Sequence, residues 1–381
     1  MPAVMIYLFG FIIALILALV LTPLVKKFAF IVGAIDKPNH RKVHTTIMPR
    51  MGGLAIFLGF IGSFFAVVYF LPEEIMQPWH LDFIKAVLVG GTIIVITGAF
   101  DDRFELSAKV KLIFQIIAAC VVVFVFDVQI HFVNMPFGTT MQHLVEWISI
   151  PITILWIVGV TNAINLIDGL DGLAAGVSGI AIITILVMAV ITGMQPVILL
   201  SVLLIGSIAG FMKYNFHPAK IFMGDSGALF LGFCIAMLSL YSFKQVTLVS
   251  LVIPLLIIGV PLSDTLFAII RRLVNHKPIW VADKGHLHHR LQDIGFSHRK
   301  TVLVIWGIAA IFGALAIVQG ALISYKGANW ITFAVLLIII FLLQVGAEFI
   351  GIVDKSQKPI LTFINRLLGK ADKENIHTGS K

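Results

Sequence analysis

Polar side chains that could bind a phosphate or a metal ion are concentrated in one run of eleven residues, 162–172, between two strongly apolar stretches. Asn162, Asn165 and Asp168 recur every three residues, which places them along one face at the end of a helix. Asp171 follows among glycines, where the backbone can leave the helix and approach a ligand closely. Because carboxylates are costly near hydrocarbon, the run predicts a functional site. A polar turn with Asx caps is the structural alternative.

A pair of acids, Asp101 and Asp102, directly follows the apolar stretch that ends at Phe100, and Lys109 and Lys111 come next. Adjacent carboxylates repel each other unless a cation or a proton separates them. A ligand set made only of oxygen favours a hard divalent cation, Mg²⁺, over a transition metal. The pair therefore predicts a Mg²⁺-linked site, with a solvated charged turn at the membrane edge as the alternative.

A further acid, Asp225, lies in the glycine-containing segment 222–227, just before the apolar stretch that begins near Ala228. Its carboxylate predicts another oxygen ligand for the metal ion. The structural alternative is that Asp225 or Ser226 is the N-cap of the helix that follows.

Three histidines in four residues, His286, His288 and His289, precede Arg290 in a long polar loop. Zinc is one interpretation, but no Cys or Glu lies nearby at zinc spacing. A cationic, hydrogen-bonding surface for phosphate is the favoured interpretation, and a solvated loop without a binding role is the alternative. Asp264, inside an apolar stretch, is predicted to be a buried structural partner of a His or an Arg.

The polar segment 26–51 combines basic side chains with helix-breaking residues just before the second apolar stretch. Arg41, His44 and Arg50 are predicted to contact the phosphate of a lipid or of a nucleotide. The alternative is a basic anchor that only marks the membrane topology.

These segments belong to a chain that is 59% apolar and only 12% charged, a composition typical of multi-pass membrane proteins. We predict an all-α polytopic membrane protein, a bundle of about eleven transmembrane helices. Residues 1–353 would form a single catalytic domain, and residues 354–381 a basic tail. The predicted spans are 5–25, 52–71, 84–100, 110–126, 147–163, 173–193, 196–212, 227–243, 247–270, 301–322 and 330–352.

The basic residues predict the orientation of the bundle. All but three of the 27 Lys and Arg residues fall on the side reached after the first span, and the exceptions are Lys85, Lys244 and Lys326. By the positive-inside rule this side is cytoplasmic, the N-terminus lies outside and the C-terminus lies in the cytoplasm. The net charge of +8 is therefore a topology signal first, and nucleic acid is not an expected partner.

The same division sorts the acids. All five acids of the polar motifs fall at the cytoplasmic ends of predicted spans, whereas the acids of the opposite side lie in ordinary loops. One site on the cytoplasmic face of the plasma membrane is therefore predicted. It would be assembled from loops 26–51, 101–111, 164–172, 213–226 and 271–300.

In their order along the chain, the motifs resemble those of a known family, the bacterial polyprenyl-phosphate N-acetylhexosamine-1-phosphate transferases, which includes the phospho-N-acetylmuramoyl-pentapeptide transferase. The resemblance covers roughly residues 5–350. The His-x-His-His form of the last motif is similar to the branch that uses UDP-GlcNAc. The matching segments are 36–44, 101–111, 162–172, 222–227 and 286–290.

The resemblance implies transfer of GlcNAc-1-phosphate from UDP-GlcNAc to undecaprenyl phosphate, which gives undecaprenyl-diphospho-GlcNAc and UMP. This would be the first membrane step of a cell-envelope polysaccharide such as teichoic acid. Phosphoryl transfer depends on positioning and on charge neutralisation, which the acids and bases of the motifs can supply. Direct attack and a phospho-aspartate intermediate both stay open.

The resemblance also implies roles for the residues. Mg²⁺, with Mn²⁺ as a substitute, would be held by Asp225 and Asp168. Asp101 would orient or deprotonate the lipid phosphate, and Asp102 would support the metal or the lysines. The remaining motif residues would bind substrate: Asn162, Asn165, Asp171, Lys109, Lys111, Arg41, His44, Arg50, His286, His288, His289 and Arg290.

Alternative functions include a transporter, a scaffold and a transferase with another sugar donor. A transporter or flippase would place acids near the middle of the bilayer and show inverted repeats, whereas here only Asp264 lies well inside a predicted span. A scaffold for wall-polymer enzymes is a weaker alternative, and the same chemistry with another UDP-N-acetylhexosamine or with UDP-MurNAc-pentapeptide is a closer one. The expected partners are the two substrates and the lipid bilayer, with a homodimer left open.

Overall fold

The computed structural model describes residues 3–37, 47–70, 78–130, 132–133, 142–143, 145–242, 248–274 and 285–326. Over these ranges the chain forms twelve helices and two short antiparallel strand pairs. The helices are α1 (Ala3–Val32), α2 (Gly52–Val68), α3 (Pro78–Phe104), α4 (Ala108–Phe126), α5 (Glu146–Ile167), α6 (Leu173–Thr192), α7 (Gln195–Asn215), α8 (Gly224–Ser242), α9 (Leu248–Ile257), α10 (Gly259–Val274), α11 (Leu287–Asp293) and α12 (His298–Lys326). The strands are β1 (Ile35–Asp36), β2 (Met48–Pro49), β3 (Phe132–Val133) and β4 (Gln142–His143).

The helices agree with an all-α polytopic membrane protein. Eight helices in the described ranges are long and apolar enough to cross a membrane, judged by length and composition. Two predicted spans, 52–71 and 247–270, correspond to shorter apolar helices. The predicted span 330–352 and the tail 354–381 lie outside the described residues. The count of about eleven and the placement of both termini stay predictions.

The predicted span 247–270 is interrupted at Ile258, between α9 and α10, although Ile258 N–H still donates to the Pro254 carbonyl and Leu262 N–H to the Ile258 carbonyl. Pro261 lacks an N–H, so the carbonyl of Ile257 loses the donor that a continuous helix would supply four residues later. Asp264 therefore lies in the second turn of a separate helix.

Helix α8 is the centre of the bundle. It packs against α2, α3, α5 and α6, and its side chains from Ala228 to Leu238 are buried on all sides. A helix that is apolar all round belongs in the interior. The first turn of α8, which carries Asp225, is therefore held in one place by its neighbours.

Glycines let two helices approach the first turn of α8 at backbone distance. A Cβ built on Gly53 of α2 would lie 1.9 Å from the nitrogen of Gly227. A Cβ on Gly98 of α3 would lie 2.5 Å from Cα of Ser226. Any larger side chain at these positions would push the helices apart.

Short β-pairing, which the all-α prediction did not include, joins the loop after α1 to the start of α8. Strand β1 pairs with β2 in antiparallel fashion. Beyond β2, backbone hydrogen bonds of 2.8–3.0 Å join Pro49, Gly52 and Gly53 to Phe222 and Met223. The chain just before Asp225 is therefore fixed by the segment that carries Arg50. A second pair, β3 with β4, lies between α4 and α5.

Candidate active site

The acids of α3 and α8 meet around one lysine of α4. Lys111 Nζ lies 3.3 Å from Asp101 Oδ2 and 2.7 Å from Asp225 Oδ2. The carboxyl groups of Asp101 and Asp225 also lie within hydrogen-bond reach of each other. We call Asp101, Asp225 and Lys111 the acid–lysine cluster. The Lys111 ammonium contacts both carboxyl groups, and its positive charge offsets the repulsion between them.

The acid–lysine cluster fits a Mg²⁺ ion by its chemistry. Asp101 Oδ1 is buried and accepts no hydrogen bond, and the available donors are all oxygens. Proteins usually hold Mg²⁺ by one or two carboxylates, with water and substrate phosphate completing the shell. Asp101, Asp168 and Asp225 do not bring three ligand atoms within 4.8 Å of one another, as judged from the described side chains. A Mg²⁺ ion held by the two carboxylates of Asp225 and Asp168 stays a prediction.

Asp102 contacts the N-terminus of α8. Its carboxylate accepts from the backbone N–H groups of Asp225 (2.8 Å) and Ser226 (3.2 Å) and from the Ser226 hydroxyl (2.7 Å). Asp102 is 4% exposed, and these bonds offset part of the cost of burying its charge. The cap of α8 thus comes from α3, rather than from Asp225 or Ser226. A role for Asp102 in supporting the metal stays a prediction.

Asp168 ends α5 close to the same acids. Burial, followed by the charges of Asp225 and Asp102, raises its pKa to about 8, and only Arg50 among the named neighbours opposes this shift. Arg50 also lies 3.8 Å from Asp36. The structure therefore brings Arg50 to the acids, while contact with a substrate phosphate stays a prediction. Arg41 and His44 lie outside the described residues.

The two predicted asparagines of α5 have different surroundings. The side chain of Asn162 exchanges hydrogen bonds with Gln115 of α4 and donates to the Val158 carbonyl at 2.8 Å. The side chain of Asn165 reaches Asp225. Asn162 thus joins two helices, while Asn165 belongs with the acids. Substrate contact by either residue stays a prediction.

Asp171 is held by the loop that follows α7. Its Oδ2 lies 2.8 Å from His217 Nδ1 and accepts from the Ala219 N–H at 3.1 Å. The adjacent Gly172 N–H donates to Asn215 Oδ1 at 3.1 Å. Asn215 and His217 were missed in the sequence, although they lie shortly before the Asp225 segment.

His286 is oriented by Asp264, as predicted for a buried acid. The two side chains meet at 2.8 Å between Nδ1 and Oδ2, and Asp264 Oδ1 accepts from the Leu287 N–H at 2.9 Å. Since Nδ1 is engaged, Nε2 is the nitrogen of His286 that can meet a ligand. Asp264 therefore fixes both this ring and the start of α11.

His288 contacts the central run directly. A Cβ on Gly169 would lie 2.4 Å from His288 Nε2, so the ring rests against the backbone next to Asp168. Burial is the main cause that lowers the pKa of His288 to about 4, and His289, with its ring 4.2 Å away, contributes. The expected cationic surface needs correction at His288, which is neutral at pH 7. Arg290 Nε is buried without a hydrogen-bond partner among the described residues.

Two points remain, the position of Lys109 and the zinc interpretation of the histidine motif. Lys109 is exposed, in contrast to Lys111 two residues later. The zinc interpretation of the histidine motif finds no support, because the three-ligand group found among the described residues lies elsewhere, at Asp171, His217 and His298.

Comparison with known proteins agrees with this arrangement. Residues 84–243, which run from within α3 to the end of α8, match the model of glycosyl transferase family 4. A Bacillus subtilis protein named probable undecaprenyl-phosphate N-acetylglucosaminyl 1-phosphate transferase is 47% identical over 361 residues, 94% of this chain and 96% of its own. The chain belongs to the polyprenyl-phosphate N-acetylhexosamine-1-phosphate transferases. The resemblance seen in the motifs is confirmed.

More distant members of this transferase family share most of the chain. A Mycobacterium tuberculosis protein named decaprenyl-phosphate N-acetylglucosaminephosphotransferase is 37% identical over 316 residues, 76% of this chain and 77% of its own. An Escherichia coli protein named undecaprenyl-phosphate alpha-N-acetylglucosaminyl 1-phosphate transferase is 27% identical over 322 residues, covering 83% and 84%. The stretch that matches the family model contains the whole acid–lysine cluster and Asp168.

Proposed function

We propose that this transferase moves GlcNAc-1-phosphate from UDP-GlcNAc to undecaprenyl phosphate, giving undecaprenyl-diphospho-GlcNAc and UMP. The names of the three relatives support a polyprenyl phosphate acceptor and a GlcNAc-phosphate product. The lipid product would begin a cell-envelope polysaccharide, with teichoic acid as one candidate.

The observation that carries the proposal is the acid–lysine cluster with Asp168 beside it. It gathers carboxylates and an ammonium from the ends of four helices, α3, α4, α5 and α8. Phosphoryl transfer needs oriented charges of this kind more than it needs covalent work by the protein. A transporter has no specific observation in its favour.

Each side chain of the cluster has a separate task in this proposal. Asp225 and Asp168 would hold Mg²⁺, and the ion would supply charge neutralisation for the diphosphate. Asp101, whose Oδ1 has no hydrogen-bond partner, orients the lipid phosphate or takes its proton. Lys111 holds Asp101 and Asp225 at a fixed separation and offers a positive charge to an incoming phosphate.

The histidine motif holds the sugar diphosphate. His286, fixed by Asp264, presents Nε2, and neutral His288 can donate or accept one hydrogen bond without adding charge. Arg290 supplies the permanent cation. Asn165 and Asp171 position the nucleotide from the α5–α6 loop.

The site would lie where the two substrates can meet. The lipid phosphate arrives in the bilayer and the nucleotide arrives in water, so the reaction requires the boundary between them. The excess of Lys and Arg on this side supports a cytoplasmic position for the site, by the positive-inside rule.

A donor panel tests the proposal. Purified protein with undecaprenyl phosphate and Mg²⁺ is offered UDP-GlcNAc, UDP-GalNAc or UDP-MurNAc-pentapeptide, and release of UMP is measured. UMP from UDP-GlcNAc that requires the lipid phosphate is expected. Preference for another donor would replace the sugar in the proposal, and no UMP with any donor would refute the reaction.

Matched variants tie the activity to the cluster. Asp225→Asn is expected to lose about 100-fold or more, because even residues that only support a metal ligand cost 10–100-fold. Asp82→Asn changes an exposed acid beside Lys85 in the opposite part of α3 and should keep wild-type activity. Equal activity of the two variants would place the chemistry elsewhere.

A further inference from the structure

A second group of ligand-type side chains lies beside the predicted catalytic acids, and Asp171 is the member that also has a role in the proposed reaction. It joins Asp171 of the α5–α6 loop, His217 of the loop after α7 and His298, the first residue of α12. One ligand atom from each lies within 4.8 Å of the others. Three separate segments of the chain therefore converge on one point.

The separations are close to those of a metal site. His217 Nδ1 lies 2.8 Å and His298 Nε2 lies 4.0 Å from Asp171 Oδ2. Ligands of a tetrahedral ion with metal–ligand distances of about 2.0–2.1 Å are about 3.3 Å apart. The two observed distances fall on either side of that value, so shifts of less than about 1 Å would bring the atoms to coordination geometry.

The surroundings favour a ligand at this point. The His298 side chain is 13% exposed, and its ring nitrogens are buried beside Asp171, whose backbone lies within hydrogen-bond reach and whose Oδ2 lies 4.0 Å from Nε2. Its ring stacks on that of His217 at 4.1 Å, which directs a nitrogen of each ring to the same carboxylate. The Ala219 N–H donates to the Asp171 carboxylate, and Arg299 Nε donates to the His217 backbone carbonyl at 3.2 Å. Two of the three residues are therefore oriented by additional hydrogen bonds.

We propose that Asp171, His217 and His298 form a binding site for a transition-metal ion of the Zn²⁺ class, separate from the acid–lysine cluster. Two imidazoles and one carboxylate suit Zn²⁺ or Co²⁺, whereas Mg²⁺ takes oxygen ligands. Three protein ligands leave one tetrahedral position for water. A bound ion would tie the start of α12 to the loops after α5 and α7. The site shares Asp171 with the proposed reaction, but metal binding is measured without turnover, so either proposal can fail alone.

Cobalt provides a direct probe. Full-length protein is stripped with EDTA, supplied with excess Mg²⁺ to fill oxygen sites, and titrated with Co²⁺ while the visible d–d absorption is recorded. Stoichiometric binding with a tetrahedral spectrum is expected, and Zn²⁺ should displace the Co²⁺. His217→Ala and His298→Ala should each weaken binding by at least about tenfold, the lower end of the loss seen even for supporting residues. His80→Ala, in the first turns of α3, serves as the control.

Two further variants make the test decisive. His298→Cys keeps a ligand atom and should add a sulfur-to-cobalt charge-transfer band, which a packing role could not produce and which decides the matter if His298→Ala does not fold. His288→Ala should leave the spectrum intact. Absence of a tetrahedral signal, a signal lost only in His288→Ala, or no charge-transfer band in His298→Cys would overturn the proposal.

Discussion

Lys111→Met tests whether the lysine and a divalent cation neutralise the same carboxylates. Breaking a buried ion pair costs about 3–5 kcal/mol. The Lys111 side chain is 23% exposed, so screening by solvent reduces the expected loss to about 2 kcal/mol. Without Mg²⁺ the variant should therefore unfold at a lower temperature than wild type. With saturating Mg²⁺ the difference should shrink, because the ion takes over the neutralisation of Asp101 and Asp225.

Because Mg²⁺ binding and folding are thermodynamically linked, the same loss of stability predicts a change in the affinity for Mg²⁺. If Mg²⁺ restores all of the lost charge compensation, it binds the variant up to about 30-fold more tightly, since 1.4 kcal/mol corresponds to tenfold. Thermal melts over a Mg²⁺ titration at about pH 8, where a proton competes least, give both quantities. Lys109→Met, which removes an exposed lysine two residues away, should match wild type. An unchanged or weaker Mg²⁺ affinity in Lys111→Met would refute a shared site.

Three further outcomes follow from the structure. Gly53→Ala should destabilise the fold by about 3 kcal/mol in thermal melts, the upper end of overpacking, because its Cβ meets the Gly227 backbone, whereas Gly159→Ala, with open space around it, should be harmless. Asp102→Ala should cost about 2 kcal/mol and lower UMP release by displacing Asp225, with Asp102→Asn losing less because one acceptor oxygen remains. Asp168, with its pKa raised to about 8 from 3.8, holds a proton in the folded state that the unfolded chain releases, so the Mg²⁺-free protein should lose stability as the pH rises between these values. Mg²⁺ competes with that proton, so the rise in Tm that it causes should grow with pH in wild type and stay flat in Asp168→Asn.

Local patterns in the sequence predicted much of the site. The apolar stretches placed ten predicted spans on helices of the described chain, and the acids at their ends include Asp101, Asp168 and Asp225, which lie near one another. Such features depend on composition and spacing, which a sequence displays directly. Family membership then agreed with the ordered motifs.

Pairings between distant segments could not be predicted in this way. A carboxylate at the end of a span can cap its own helix, cap another helix or hold a cation, and spacing alone does not distinguish these uses. Asp102 caps α8 from a position 123 residues earlier in the chain. Asn162 donates a hydrogen bond to Gln115 of the preceding helix, α4, although it shares the predicted helix face with Asn165.

The difference between Asp102 and Asp101 shows why neighbouring acids take separate roles. Both lie in the last turn of α3, but successive residues on a helix point about 100° apart, so only one of them can face the Lys111 ammonium. The other meets the exposed N–H groups of α8, which carry partial positive charge. Each carboxylate is thus neutralised by a different partner, and this lets two acids persist side by side at the edge of the bundle. The first turn of α8 is where both arrangements meet, since it supplies Asp225 to Lys111 and its backbone to Asp102. Displacing that turn should therefore disturb the acid–lysine cluster even when every acid is still present.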